Sequence, residues 1–140
     1  MATFNVYLNF TGNTEEAFNF YKEVFGGEFV MVQRFKDTPH GDQMSDEDKE
    51  KMMHIALPLG NITLMGTDAL EGFGPALTFG TNFSPSVSPE SMEETEKIFA
   101  GISAGGTVQQ PLEKMFWGAY YGQCTDKFGV QWMVNFEIKE

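Results

Sequence analysis

The run Phe116-Trp117-Gly118-Ala119-Tyr120-Tyr121-Gly122, continued by Thr125-Asp126-Lys127-Phe128-Gly129-Val130-Gln131-Trp132, decides how this chain folds. Asp126-Lys127-Phe128-Gly129 reads as a turn, with Gly129 free to take a positive φ. After it, Val130, Trp132, Val134 and Phe136 alternate with Gln131, Met133 and Asn135, the period of a half-buried strand. A hairpin this aromatic either closes a core or lines a pocket. If the run from Trp117 is extended, Trp117 and Tyr121 share one face and Tyr120 takes the other. Gly118 and Gly122 beside Tyr120 leave space for a ligand or a helix.

Upstream of this hairpin the pattern runs twice. Residues 3–10 alternate, with Phe4, Val6, Leu8 and Phe10 opposing Asn5, Tyr7 and Asn9, which predicts a first strand. Thr11-Gly12-Asn13 breaks it, Asn13 is a candidate N-cap, and Glu15 and Glu16 suit the first helical turn. Ala17, Phe18, Tyr21, Val24 and Phe25 fall at helical spacing, and Gly26-Gly27 stops the helix. Residues 28–35 read as a second strand. Residues 36–51 are polar and aperiodic, a long surface loop with one helical turn started by Ser45. Residues 53–59 and 61–67 are two strands joined near Gly60, and the glycine-rich residues 68–75 link the halves.

The order then restarts. Residues 77–87 read as a strand, and Ser88-Pro89-Glu90 supplies an N-cap, a first-turn proline and an early acid. Met92, Thr95, Ile98, Phe99 and Ile102 form the buried face of a second helix, and Gly105-Gly106 ends it. Residues 107–113 are a strand, followed by the aromatic hairpin. The expected architecture is therefore a single α+β domain, residues 1–140, made of two βαβββ modules, residues 1–70 and 76–140. Neither module buries both faces of its sheet alone, so the two should pack around a shared core.

Composition excludes several classes of function. A net charge of −11, from 20 acidic and 9 basic side chains, repels phosphate backbones and anionic lipid, so no nucleic acid or membrane partner is expected. No apolar stretch reaches the length of a membrane helix. The N-terminal residues carry no charged segment followed by an apolar run, so no export signal is expected, and the lone Cys124 fits a reducing compartment. The expected location is the cytoplasm. Fourteen phenylalanines and nine methionines suit either a Phe- and Met-rich core or an adaptable apolar binding surface.

Several motifs together resemble the PhnB-like branch of the vicinal oxygen chelate superfamily, which groups glyoxalases, bleomycin resistance proteins and dioxygenases. They are Phe10-Thr11-Gly12-Asn13 with Ala17 and Phe20-Tyr21, Phe25-Gly26-Gly27, His54-Ile55-Ala56-Leu57, Ile62-Thr63-Leu64-Met65, and the aromatic hairpin itself. The resemblance implies two βαβββ modules forming a curved mixed sheet with a concave inner face, and a homodimer. Metal-dependent members place His or Glu ligands at positions that fall here near Val6 or Tyr7, Leu64 or Met65, Asn82, and Met133. None of these is His, Glu, Asp or Cys, so no metal and no cofactor is expected. Names borrowed from a methyltransferase occur in this branch, but no glycine-rich strand-to-helix turn for an adenosyl cofactor is present.

The remaining candidates for chemistry are few. His54 is either a hydrogen-bonded structural histidine or a general base. Glu113, just before the aromatic run, is either a solvated strand-end acid or an acid–base group with a raised pKa. His40 lies in the polar loop and reads as solvated. Asn5, Asn9 and Asn82 are candidate ligand-orienting groups. Cys124 has no helix start to activate it and reads as a buried filler. Two functions follow. The first is a metal-independent small-molecule-binding protein, with Met65, Phe116, Trp117, Tyr120, Tyr121 and Met133 lining the ligand pocket and residues 36–51 as its lid. The second is a lyase, isomerase or oxygenase of glyoxalase type, working through His54 with Glu113 or through an unconventional divalent metal site.

Overall fold

The structure, a computed structural model, describes residues 2–72 and 74–138. Met1, the start of the expected first module, Lys139 and Glu140, the end of the second, and Phe73 in the stretch between them lie outside the described residues. The chain divides into two compact units, Met1–Thr78 and Phe79–Glu140.

The first unit runs β1 (Val6–Phe10), α1 (Thr14–Phe25), β2 (Met31–Arg34), a short helix α2 (Asp46–Lys49), β3 (Met52–Leu59) and β4 (Ile62–Asp68). Its strands form one sheet in the order β1-β4-β3-β2, with β1 parallel to β4 and the other pairs antiparallel. The second unit runs β5 (Ser86–Val87), α3 (Met92–Ser103), β6 (Thr107–Lys114), β7 (Ala119–Thr125) and β8 (Gln131–Glu137), in the order β5-β8-β7-β6. Its first strand is again parallel to its last. The fold is thus α+β with the expected βαβββ order in both units.

Each helix covers one face of its own sheet. Phe18 and Tyr21 of α1 are fully buried with Leu57 and Leu64 of the sheet, and Phe99 and Ile102 of α3 are buried in a unit whose sheet buries Cys124 and Val134. Glycines on the covered faces make room for the rings. A Cβ on Gly66 would lie 2.5 Å from the Phe18 ring, and one on Gly122 would lie 2.7 Å from Phe99. Because strand neighbours alternate, these two contacts fix which side chains face the helices and which face away.

Local signals set most element ends, with instructive exceptions. Gly26 ends α1 at φ 85°, and Gly129 turns the last hairpin at φ 96°, as its place in the aromatic run implied. Ser45 caps α2 by accepting from the Asp48 N–H. Helix α3 begins three residues later than Ser88-Pro89 suggested, because Ser91 accepts from Glu94 N–H and the Glu94 side chain accepts from Glu90 N–H. Ser91 thus satisfies one orphan donor of the first turn, and Glu94 ties down the residue that precedes the cap. Asn13 makes no side-chain cap on α1; the Asp68 carboxyl takes that role. The strand expected over residues 77–87 contracts to Ser86–Val87, and the one over 28–35 to Met31–Arg34. Residues 36–51 hold two 3₁₀ turns besides α2.

Gly106, of the pair that follows α3, has a steric purpose. A Cβ there would collide with the Thr125 carbonyl oxygen and lie 2.9 Å from the Asp126 carbonyl carbon. Backbone cannot swing aside as a side chain does. Gly106→Ala should therefore destabilise the protein by about 3 kcal/mol, the upper part of the range for overpacking. A urea midpoint unchanged from the parent would show that the β6–β7 pair yields more easily than this geometry implies.

Candidate functional site

The face of the first sheet turned away from α1 carries the candidate site. Leu8, Ile55, Leu57, Leu64 and Gly66 point toward the helix, so Tyr7, Asn9, His54, Met65 and Thr67 point the other way. Tyr7 sits directly beside Met65, and Asn9 beside Thr67. The Tyr7 hydroxyl lies 3.5 Å from His54 Nδ1, and the two rings are 5.7 Å apart. Which of the two atoms donates depends on the histidine tautomer. Tyr7 is exposed, so a molecule resting on this face meets a phenol and an imidazole together.

A cavity of about 490 Å³ adjoins this face where β1 and β4 end. Asn9 and Thr67 bring polar groups to it, Phe35 and Met44 line it from the segment after β2, and Leu70 and Leu77 from the segment after β4. Its size and its apolar wall with a few polar groups match small-molecule sites. A second cavity, about 470 Å³, is lined by Thr11, Lys51 and Glu71 together with Leu70 and Leu77. The segment between β2 and β3 is pinned by ion pairs. Arg34 meets Glu15 of α1 at 2.6 Å, Lys36 meets Glu50, and Lys51 meets Asp48. The Glu15 hydrogen bond, with further help from Glu50 and Asp37, holds the Arg34 guanidinium even more firmly protonated than usual.

The second unit holds the other candidates. Phe116 and Trp117 form the turn between β6 and β7, not part of a strand; Phe116 is 98% exposed. The Trp117 ring meets Tyr121 at a centroid distance of 6.1 Å. Tyr121 and Met133 face away from α3, since Gly122 faces it. Tyr120 takes the helix side, where its hydroxyl donates to Glu96. Loss of solvation, together with the Glu96 charge, raises the Tyr120 pKa. Glu113 accepts a bond from the Gln110 amide and stands across from Tyr121. A larger depression, about 870 Å³, lies between the start of α3 and the end of β8 and contains none of the side chains put forward from the sequence for catalysis or ligand binding.

The asparagines divide by role. Asn5 accepts from the Thr63 N–H and is structural, whereas Asn9 lines the first cavity. Asn82 precedes β5. Phe35, Leu70 and Leu77 had no signal in the sequence as cavity residues and Met44 falls within the expected lid, while the alternation of Tyr7 with Val6 and Leu8 already set it on this face.

Cys124 is fully buried, and burial with the nearby Asp126 pushes its thiol up to about 11. The protonated thiol is a poor nucleophile. Iodoacetamide should label it slowly in the folded protein and rapidly in urea; equal rates would contradict this burial. The same shift sets a direction for stability. The folded thiol holds its proton above its usual value of 9.0, so the stabilisation is intact below that pH and is lost as pH rises through about 11.

Of the positions at which the resemblance led us to expect metal ligands, Val6 and Leu64 lie on the α1 side and Asn82 precedes β5, while Tyr7, Met65 and Met133 face away from the helices and carry a phenol and two thioethers. Among the described residues no three His, Cys, Asp or Glu side chains converge. Phenol and thioethers without such partners do not fit a hard divalent ion. An adenosyl cofactor fits no better. The β1–α1 loop has the single Gly12, and its Gly12 and Thr14 N–H groups are already taken by Asp68.

The family model of 3-demethylubiquinone-9 3-methyltransferase matches residues 2–135. The chain belongs to this family. The PhnB-like resemblance read from its motifs is thereby borne out, since a Bacillus cereus structure described as a putative 3-demethylubiquinone-9 3-methyltransferase, PhnB protein, is similar at 26% identity and a TM-score of 0.78, covering 96% of this chain and 99% of that one. A Pseudomonas aeruginosa crystal structure is similar at 36% identity and TM-score 0.88, covering 99% of this chain and all of that one. Protein YjdN of Escherichia coli is 29% identical over 136 residues, 92% of this chain and 91% of that protein. A glyoxalase/bleomycin resistance protein/dioxygenase family enzyme from Burkholderia phytofirmans, 18% identical with a TM-score of 0.64 over 94% and 97% of the two chains, shares the fold. In the 3-demethylubiquinone-9 3-methyltransferase family this chain thus has a glyoxalase-type fold whose residues do not assemble a metal site among those described.

Proposed function

We propose that the protein binds a small molecule rather than transferring methyl groups. The observation that carries this reading is the 490 Å³ cavity, whose polar residues Asn9 and Thr67 lie on the same face as Tyr7, His54 and Met65. Phe35, Met44, Leu70 and Leu77 supply the apolar contact, and residues 36–51 act as its lid. Trp117, Tyr121 and Met133 provide a second open face for ligand contact, bordered by Phe116, with Tyr120 supporting it from the helix side. The protein works in the cytoplasm without metal or cofactor, and as a homodimer. Met31 and Val32, exposed on the edge strand β2, and Val30 just before it are apolar surface for a second copy to cover. Light scattering should return twice the chain mass of 15.7 kDa.

Nile red, an uncharged apolar dye, tests the binding reading. Its fluorescence should rise with the protein, and Met44→Trp, which fills the cavity, should weaken the response by about tenfold. A response unaffected by Met44→Trp would remove the cavity from the reading. The Tyr7–His54 pair favours a second reading, in which His54 is a general base in a lyase or isomerase. Under it, His54→Gln abolishes consumption of a bound molecule while leaving its affinity within about twofold.

A further inference from the structure

The open face of the second unit carries an aromatic pair between two carboxylates. Tyr121 stands across from Glu113 on β6 and Asn135 on β8, so these side chains share the face that α3 leaves uncovered. Ala119, two residues earlier on the same strand and therefore on the same side, is itself buried, and it stands across from Glu137, which is exposed. Glu113 and Glu137 thus flank one patch from opposite neighbouring strands. The Trp117 ring meets Tyr121 at 6.1 Å with 66° between planes, and Phe116 meets Trp117 at 5.1 Å. Trp117 is 56% exposed, so its ring is open to a ligand. Among the described residues, neither carboxylate has an ion-pair partner. Among the described residues Glu113 accepts only the Gln110 amide.

Ring faces attract cations through their quadrupoles, and the attraction grows when carboxylates add to the same field. An anion is repelled by both, and by the net charge of −11. A neutral molecule gains apolar contact alone. We infer that this face binds an organic cation, with an ammonium group seated on Trp117 and Tyr121 between Glu113 and Glu137. The inference rests on the reading of the chain as a small-molecule binder and gives its second open face a ligand class.

Choline and the uncharged alcohol in which carbon replaces its ammonium nitrogen test the idea, since they differ in charge and hardly in shape. The readout is the indole N–H resonance of each tryptophan in isotope-labelled protein. Trp132 is an internal control, being buried with its indole N–H donated to Asp126. Choline should shift the Trp117 signal and leave Trp132 in place, and the alcohol should shift Trp117 far less. Glu113→Gln combined with Glu137→Gln should weaken choline binding about tenfold, and added salt should weaken it in the parent. Both positions are exposed, and the Trp132 resonance reports that the variant is folded. An equal response to the alcohol, an undiminished affinity in the double variant, or a Trp117 signal indifferent to choline would overturn the inference. Nile red reports the first unit's cavity and choline the second unit's face, so the two readings fail separately.

Discussion

Asp68→Ala is expected to lower stability by about 4 kcal/mol. The carboxyl is 4% exposed and ties three parts of the first unit together. One oxygen accepts from Gly12 N–H, Thr14 N–H and, at 2.6 Å, the Thr14 hydroxyl, while the other accepts from Met52 N–H at 2.8 Å. Alanine leaves the Thr14 and Met52 donors without an acceptor, and both residues are fully buried, so water replaces the lost bond only at exposed Gly12. Asp68→Asn provides a graded comparison. The amide keeps one acceptor oxygen for the α1 start but turns an NH₂ toward Met52 N–H, so about half the loss should appear. Urea unfolding followed by far-ultraviolet circular dichroism measures both, and equal midpoints for the parent and Asp68→Ala would refute the assignment.

Asp126→Ala should cost a comparable amount, about 3–4 kcal/mol, in the second unit. Asp126 is 3% exposed; one oxygen accepts from Phe128 and Val130 N–H, closing the turn between β7 and β8, and the other accepts the Trp132 indole at 2.8 Å. The expected signature is distinctive because both tryptophans, Trp117 and Trp132, belong to this unit. Asp126→Asn, which presents an amide donor to the indole N–H, should change tryptophan emission with a smaller loss of stability. Should Asp126→Asn leave the emission spectrum unaltered, the indole bond is not what holds Trp132.

These two aspartates also show what can and cannot be read from a sequence. The Asp126 turn was legible because its contacts are within six residues and Gly129 announces a positive φ. Asp68 was not, because it reaches Thr14 across 54 positions, and a rule about neighbours assigns the cap to Asn13 instead. Alternation in β1, β4 and β8 and the glycine pairs after each helix were enough to give the repeated element order. Strand β5 was overextended because apolar residues between 77 and 87 suggest a strand whether or not a partner exists. Only Ser86 and Val87 have one, on β8. The candidate site shows the same division. Alternation assigned Tyr121 to a face, and motifs drew attention to His54, Met65 and Met133, while the cavity is assembled from Phe35, Met44, Leu70 and Leu77, whose proximity no local period records.

Each unit pairs its first strand in parallel with its last, Val6 with Leu64 and Ser86 with Met133. On the ribosome this makes the order of events unequal. Strand β1 emerges early and waits, unpaired, until β4 has left the exit tunnel, so contacts distant in sequence set when the unit can close. The first unit gains its last strand while the second is still being translated. The second cannot close until the final residues of β8 are made, and those residues bring Trp132 and Val134 of its core. A transcript cut short before Gln131 would therefore yield a nascent chain with a sheet able to form at its front and exposed apolar surface at its back, the form of polypeptide that chaperones and proteases remove.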